Sequence, residues 1–211
     1  AILVSAHFGN WEGAAHLLGK EGYKVHIVAY SGEVQHIQKL FSKHLKEKSF
    51  HLIPMDGSMD ATFRVLQALS QGDIVAIHGD RSFGPKSKTL AIPFLGSFAK
   101  FPIGPYLFSL ASGAPIIHTF TLRIKSYHYF TLLYPPLYIQ CDSQRGKKEV
   151  LEKGLTFYTE RLSEWVKKYP FQWCNFYSFW QDSSKKKIEG EGNPLESASK
   201  ELDSNFQENR R

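Results

Sequence analysis

The stretch Ala1-Ile-Leu-Val-Ser-Ala-His-Phe-Gly-Asn-Trp-Glu12 opens the 211-residue chain and decides the reading of its fold. Ala1 to Ala6 is almost continuously apolar, the pattern of a strand buried on both faces in a parallel sheet. The run stops at His7. Gly9 breaks the extended pattern, and residues from Asn10 to about Lys20 read as a helix. Working outward, Gly22 resets the chain and Lys24–Tyr30 reads as a second strand. Glu33–Lys48 carries Ile37, Leu40, Phe41 and Leu45 at helical spacing. Phe50–Pro54 is a short strand, and Ser58 or Asp60 can cap a helix running to Ser70 with Phe63, Leu66 and Leu69 as its inner stripe. Asp73–His78 is a further strand. This alternation predicts an α/β fold: a mostly parallel central sheet with helices on both faces. Ligand sites in such sheets lie beyond the carboxyl ends of the strands, where His7, Asp80 and Arg81 fall.

The second half differs in rhythm. A loop, Gly84-Pro-Lys-Ser-Lys88, leads to Leu90–Leu95. Phe101-Pro-Ile-Gly-Pro105 opens a short helix to Ser112, which Gly113 ends. Pro115–Ile124 and Tyr127–Tyr134 read as adjacent strands. Glu149–Lys168 is a long helix with Leu151, Leu155, Tyr158, Leu162 and Trp165 on one side. Phe171–Trp180 closes the folded part, and the polar tail 183–211 reads as disordered.

The composition, 42% hydrophobic and 22% charged, is that of a globular protein with a substantial core. No apolar run approaches the roughly 20 residues that span a bilayer. The first residue is Ala and the chain begins inside a strand, which reads as N-terminal truncation. Cys141 and Cys174 lack the spacing of a metal or redox pair, and so few cysteines fit a reducing compartment. The formal net charge is +6. The tail 183–211 is balanced in charge, so the excess lies in the body, which suits phosphates on nucleic acid, lipid headgroups or an acidic carrier. No RNA-binding or helix-turn-helix signature supports nucleic acid.

His7 and Glu12 are the first candidates for chemistry. A sharp strand-to-helix turn can bring a first-turn carboxylate back to the imidazole, fixing its tautomer and stabilising the imidazolium. On spacing alone, a satisfied strand-end histidine and an ordinary first-turn acid favoured by the helix dipole account for the same residues. Nine histidines raise the question of a metal. No HExxH and no paired His/Cys spacing supports one, so no metal and no cofactor are expected. The G-x-S-x-G elbow of a nucleophilic serine is absent too.

His7-Phe-Gly-Asn-Trp-Glu12 resembles the His-x4-Asp/Glu motif of the lysophospholipid acyltransferase superfamily, closest to the branch of bacterial lipid A late acyltransferases. The likeness continues in order along the chain. Ile77-His-Gly-Asp-Arg-Ser-Phe-Gly84 resembles the branch's strand-end segment with an Asp. Pro93-Phe-Leu-Gly96 resembles its Phe-Phe-Gly turn, and Phe101-Pro-Ile-Gly-Pro105 the glycine-containing segment after it. Ser112-Gly-Ala-Pro-Ile-Ile117 resembles its Gly-Ala-Pro strand, and Gln172-Trp173 its closing segment.

The resemblance implies a glycerol-3-phosphate acyltransferase-like fold, with residues 1–182 as the acyltransferase domain and 183–211 outside it. It implies transfer of a fatty acyl group from an acyl carrier protein or coenzyme A thioester to a hydroxyl or amine of a lipid acceptor. The implied place is the cytoplasmic face of the bacterial inner membrane, against the membrane surface. Carried over, His7 is the base and Glu12 its orienting partner. Asp80 and Arg81 become substrate-binding candidates. Asn10, through the Phe8–Asn10 amides, and Gly104, through the Ile103–Gly104 amides, are candidates for holding the oxyanion. The branch usually places an arginine soon after the second strand. Here Tyr30-Ser31-Gly32-Glu33 follows instead, so the acceptor is less anionic or another cation serves, with Lys86, Lys88 and Lys100 as candidates. Phe8, Trp11, Phe94, Phe98, Phe101 and Phe108 are placed either to line an acyl groove or to fill the core. Two other readings stay open: a thioester or ester hydrolase using the same pair on water, and a basic membrane-binding module without turnover.

Overall fold

A computed structural model gives the architecture, and it describes residues 1–30, 50–55, 58–82, 87–141, 144–176 and 178–180. The expected helix Glu33–Lys48 and the polar tail lie outside the described residues.

Eight strands and four helices are described. Strand β1 (Ile2–Ser5) leads to helix α1 (Trp11–Lys20), then β2 (Val25–Tyr30), β3 (His51–Met55), helix α2 (Met59–Ser70) and β4 (Ile74–His78). The second half holds β5 (Thr89–Phe94), β6 (Ser97–Pro102), helix α3 (Gly104–Ser112), β7 (Ile116–Lys125), β8 (His128–Leu133) and helix α4 (Gln144–Lys168). A 3₁₀ turn, Pro170–Gln172, follows. The main sheet has the order β3-β2-β4-β1-β7-β8. All its pairings are parallel except β7 with β8. This is the mixed, mostly parallel α/β sheet that the βαβ rhythm implies.

Both faces of the sheet are covered, as the continuous apolar runs require. Alternation along each strand assigns the residues. Val25, Ile27, Ile74 and Ala76 pack with Trp11 and Leu18 of α1 on one face. Ile2, Val4, Val28, Val75 and Ile77 belong to the larger core on the other face, with Val65 of α2, Tyr106 of α3 and Leu151, Leu155, Tyr158 and Leu162 of α4. The α4 stripe expected from periodicity is buried, apart from Trp165, which packs at its margin. Its helix starts earlier than Glu149, at Gln144.

Two expectations need correction. The buried stripe of α2 is Ala61, Val65, Ala68 and Leu69, while Phe63 faces solvent and Leu66 is half-buried. The helix is rotated because small residues let it lie close to the sheet, which the larger side chains would prevent. The second correction concerns β6. Residues 97–102 pair with β5 as a separate antiparallel hairpin, turned at Leu95-Gly96 with both residues at positive φ. The sequence reading gives β5 but no partner for it.

Candidate active site

The site begins with strand order. β1 and β4 are neighbours, and their parallel register pairs Ser5 with His78. Two residues further along each strand end, the same register carries His7 to Asp80. Nδ1 of His7 lies 2.8 Å from Oδ1 of Asp80, and the His7 backbone N–H donates to Oδ2 at 3.0 Å. The indole N–H of Trp173 donates to the same Oδ2 at 3.1 Å. Asp80 is 2% exposed and His7 14%, so solvent reaches the imidazole far more readily than the acid behind it.

Charge on Asp80 is the stable state. Burial pushes its carboxyl up, but hydrogen bonding and charge from His7, the charge of His78 and the Trp173 N–H outweigh this and hold it far below the usual carboxylate range. An ionised Asp80 only accepts, so Nδ1 of His7 is the donor. The proton-free nitrogen is then Nε2, the arrangement a general base requires.

His78 backs this pair. Its ring lies 4.0 Å from that of His7, centroid to centroid, and Trp11 meets it edge-on at 4.3 Å. Its Nδ1 is 3.0 Å from Ser5 Oγ. Burial first, and then the positive charge His7 takes on, lowers its pKa to about 3, so it stays neutral near pH 7. A second buried histidine, His118, bonds Tyr106 through Nε2 at 3.0 Å, and burial lowers it to about 4. Both folded-state values lie below the unfolded value near 6.5, so the unfolded chain binds more protons at lower pH. Their stabilisation is full above about pH 6.5 and declines as pH falls towards the folded values. Urea unfolding should show a loss on the order of 2 kcal/mol for each histidine between pH 7 and pH 5. A flat profile over that interval would contradict the burial of both.

The carboxyl-terminal segment straps this strand end. The N–H of Cys174 donates to the His7 carbonyl at 2.8 Å, and Gly9 N–H to the Gln172 carbonyl at 2.9 Å. Gln172 spans to β7, where its side chain bonds both the N–H and the carbonyl of Arg123. Arg81 Nη2 holds the Cys174 carbonyl at 2.8 Å. Gly9 takes φ +61°, and a Cβ there would lie 1.8 Å from the Thr121 carbonyl oxygen. Gly9→Ala should therefore cost on the order of 3 kcal/mol or more, through a strained φ and a backbone clash together. Denaturant midpoints of the two proteins measure it.

The other expected site residues fall as follows. Glu12 lies in the first turn of α1, but its side chain is outside the described residues. Asn10 is the N-cap of α1, its Oδ1 accepting from Gly13 N–H at 3.0 Å. Among the oxyanion amides, Phe8 donates to Ala6, Gly9 to Gln172 and Ile103 to Lys88. Asn10 and Gly104 remain as candidates, Gly104 at the first turn of α3, where a helix leaves amides without helical partners. Lys100 stands exposed on β6 opposite Ala91, and Lys86 lies outside the described residues. Phe8, Phe94 and Phe101 are core residues, whereas Phe98 is exposed. The sequence reading does not name Ser5, His78 or Trp173 as site residues, although His78 and Trp173 lie within the motif-like segments 77–84 and 172–173.

Ligand-capable atoms of His7, His78 and Asp80 lie within 4.8 Å of one another. Both Asp80 oxygens, however, already accept hydrogen bonds from His7 or Trp173. That pattern is a hydrogen-bonded dyad, and a metal ion would have to displace its donors.

A model of bacterial lipid A biosynthesis acyltransferases matches residues 1–182. The chain belongs to that family. No individual curated protein matches it. As a lipid A acyltransferase family member, the protein is an acyltransferase, and its family implies an acyl donor and a lipid acceptor. At the strand end, the buried Asp80 anion fixes the tautomer of His7 and leaves its Nε2 free of a proton.

Proposed function

We propose that the protein moves a fatty acyl group from a thioester, on acyl carrier protein or coenzyme A, to a hydroxyl or amine of a lipid or glycolipid at the cytoplasmic face of a bacterial inner membrane. The observation that carries the chemistry is the 2.8 Å contact between His7 Nδ1 and buried Asp80. Nε2 of His7 takes the proton of the acceptor hydroxyl or amine as that group attacks the thioester carbonyl carbon. The carbonyl oxygen becomes an oxyanion, held by amides at the strand and helix ends, of which Asn10 and Gly104 are candidates. Collapse of the intermediate breaks the carbon–sulfur bond. The leaving thiolate recovers the proton from His7, so the dyad returns to its starting state and no acyl-enzyme forms.

In this reading Asp80 holds the imidazole from behind. Glu12, the acid of the His-x4-Glu motif, follows in the first turn of α1 and is the second candidate for that role. Arg81 sits close enough to the strap to bring its charge to a phosphate-bearing donor or acceptor.

Purified protein incubated with radiolabelled acyl thioester and a lipid extract provides the test. Labelled acyl-lipid is the expected product. Labelled free fatty acid without acyl-lipid would assign the dyad to hydrolysis instead.

A further inference from the structure

We propose that the β7–β8 hairpin is a prong that seats the enzyme on an anionic lipid bilayer and sets the height of His7 above it. The inference rests on the lipid-acceptor reading above.

Register places the hairpin. β1 and β7 are parallel, with Val4 opposite His118. Extended by three residues, this register brings His7 level with Thr121, and Gly9, two residues on, abuts the Thr121 carbonyl. β7 continues to Lys125 before it turns. Four further residues at about 3.3 Å each carry the tip roughly 13 Å past His7, on the same rim of the sheet.

The tip exposes apolar and aromatic side chains beside basic ones. Leu122 opposite Phe130 and Arg123 opposite Tyr129 fall on opposite faces of the hairpin. Leu122 is buried, but its cross-strand partner Phe130 is 52% exposed, and beyond them Ile124 is 56% and Tyr127 93% exposed. A hairpin that only completed a core would bury one face. The strap adds to this rim. Phe171 is fully exposed, next to the Gln172 that clamps Arg123. Aromatic rings of this kind suit the boundary between headgroups and acyl chains.

Charge selects the partner. From Arg81 to Cys141 the sequence carries Arg81, Lys86, Lys88, Lys100, Arg123 and Lys125 but no Asp or Glu. Arg123 and Lys125 flank the apolar tip, and both are exposed. Each basic residue near an anionic surface contributes about 1 kcal/mol to binding. With the tip at the base of a headgroup layer about 5–7 Å thick, His7 is held roughly 6–8 Å outside that layer, within reach of an acceptor whose headgroup extends beyond it.

The test uses the full chain and vesicles. The protein should sediment with phosphatidylcholine vesicles that contain phosphatidylglycerol, and far less with pure phosphatidylcholine. The double variant Tyr127→Asp, Phe130→Glu should bind the anionic vesicles at least about tenfold more weakly. Its thermal unfolding should stay close to that of the parent, because Tyr127 holds φ +59°, which Asp adopts more readily than Tyr. Absence of binding by the parent, or equal binding by the variant, would overturn the proposal. So would a parent dimer in vesicle-free buffer that the variant converts to monomer, since β8 is a sheet edge that a second copy can pair with. Vesicle binding needs no turnover, so it stands or falls apart from the transfer assay.

Discussion

His7→Gln should lower acyl transfer by on the order of 10²- to 10⁴-fold, with the fold intact. Glutamine keeps much of the volume and a donor for Asp80, but it offers no nitrogen that can take a proton at neutral pH. Its near-isosteric fit separates loss of chemistry from loss of structure, so circular dichroism and thermal unfolding should match the parent. The loss should appear mainly in kcat, because the proton moves only as the acceptor attacks. Undiminished transfer by the variant would remove His7 from the reaction.

Asp80→Asn should be nearly as damaging and more informative. Asparagine fits the same space, yet it removes the buried anion that compels Nδ1 to donate. His7 can then settle in the other tautomer with its free nitrogen turned inward, and the imidazolium formed during attack loses its partner. In hydrolases built on the same logic, this replacement costs about 10⁴-fold. Comparison with Glu12→Gln assigns the roles. If Asp80 orients the histidine, the Asp80 variant falls much further in kcat, and imidazole NMR shows a changed tautomer in that variant alone. A larger fall in the Glu12 variant, with the tautomer changed there, would give the orienting role to the motif acid.

The sheet was legible in the sequence wherever burial left a continuous apolar run. Ala1–Ala6, Lys24–Tyr30 and Asp73–His78 correspond to β1, β2 and β4, because strands covered on both faces have no polar alternation to obscure them. His7 was legible for the same reason, as the first polar ring after such a run. The carboxylate hydrogen-bonded to it was harder to find. Glu12 is five residues away along the chain, whereas Asp80 becomes a neighbour only once β4 lies beside β1 in register. Strand order is a property of the whole sheet and leaves no local mark. Trp173 was missed as a site residue for a similar reason, since its N–H reaches Asp80 across 93 positions of chain. The β5–β6 hairpin was half seen, because Ser97–Pro102 alternates exposed and buried residues too weakly to announce a strand.

The strap that holds His7 also orders events during synthesis. A ribosome has made the histidine and its acid long before it adds the tryptophan and cysteine that fasten them. At roughly 5–20 residues per second, the interval is on the order of 5–20 seconds. Throughout it the nascent chain carries a strand end whose backbone has no clasp. That strand end is thus clasped only after Gln172 and Cys174 have been added.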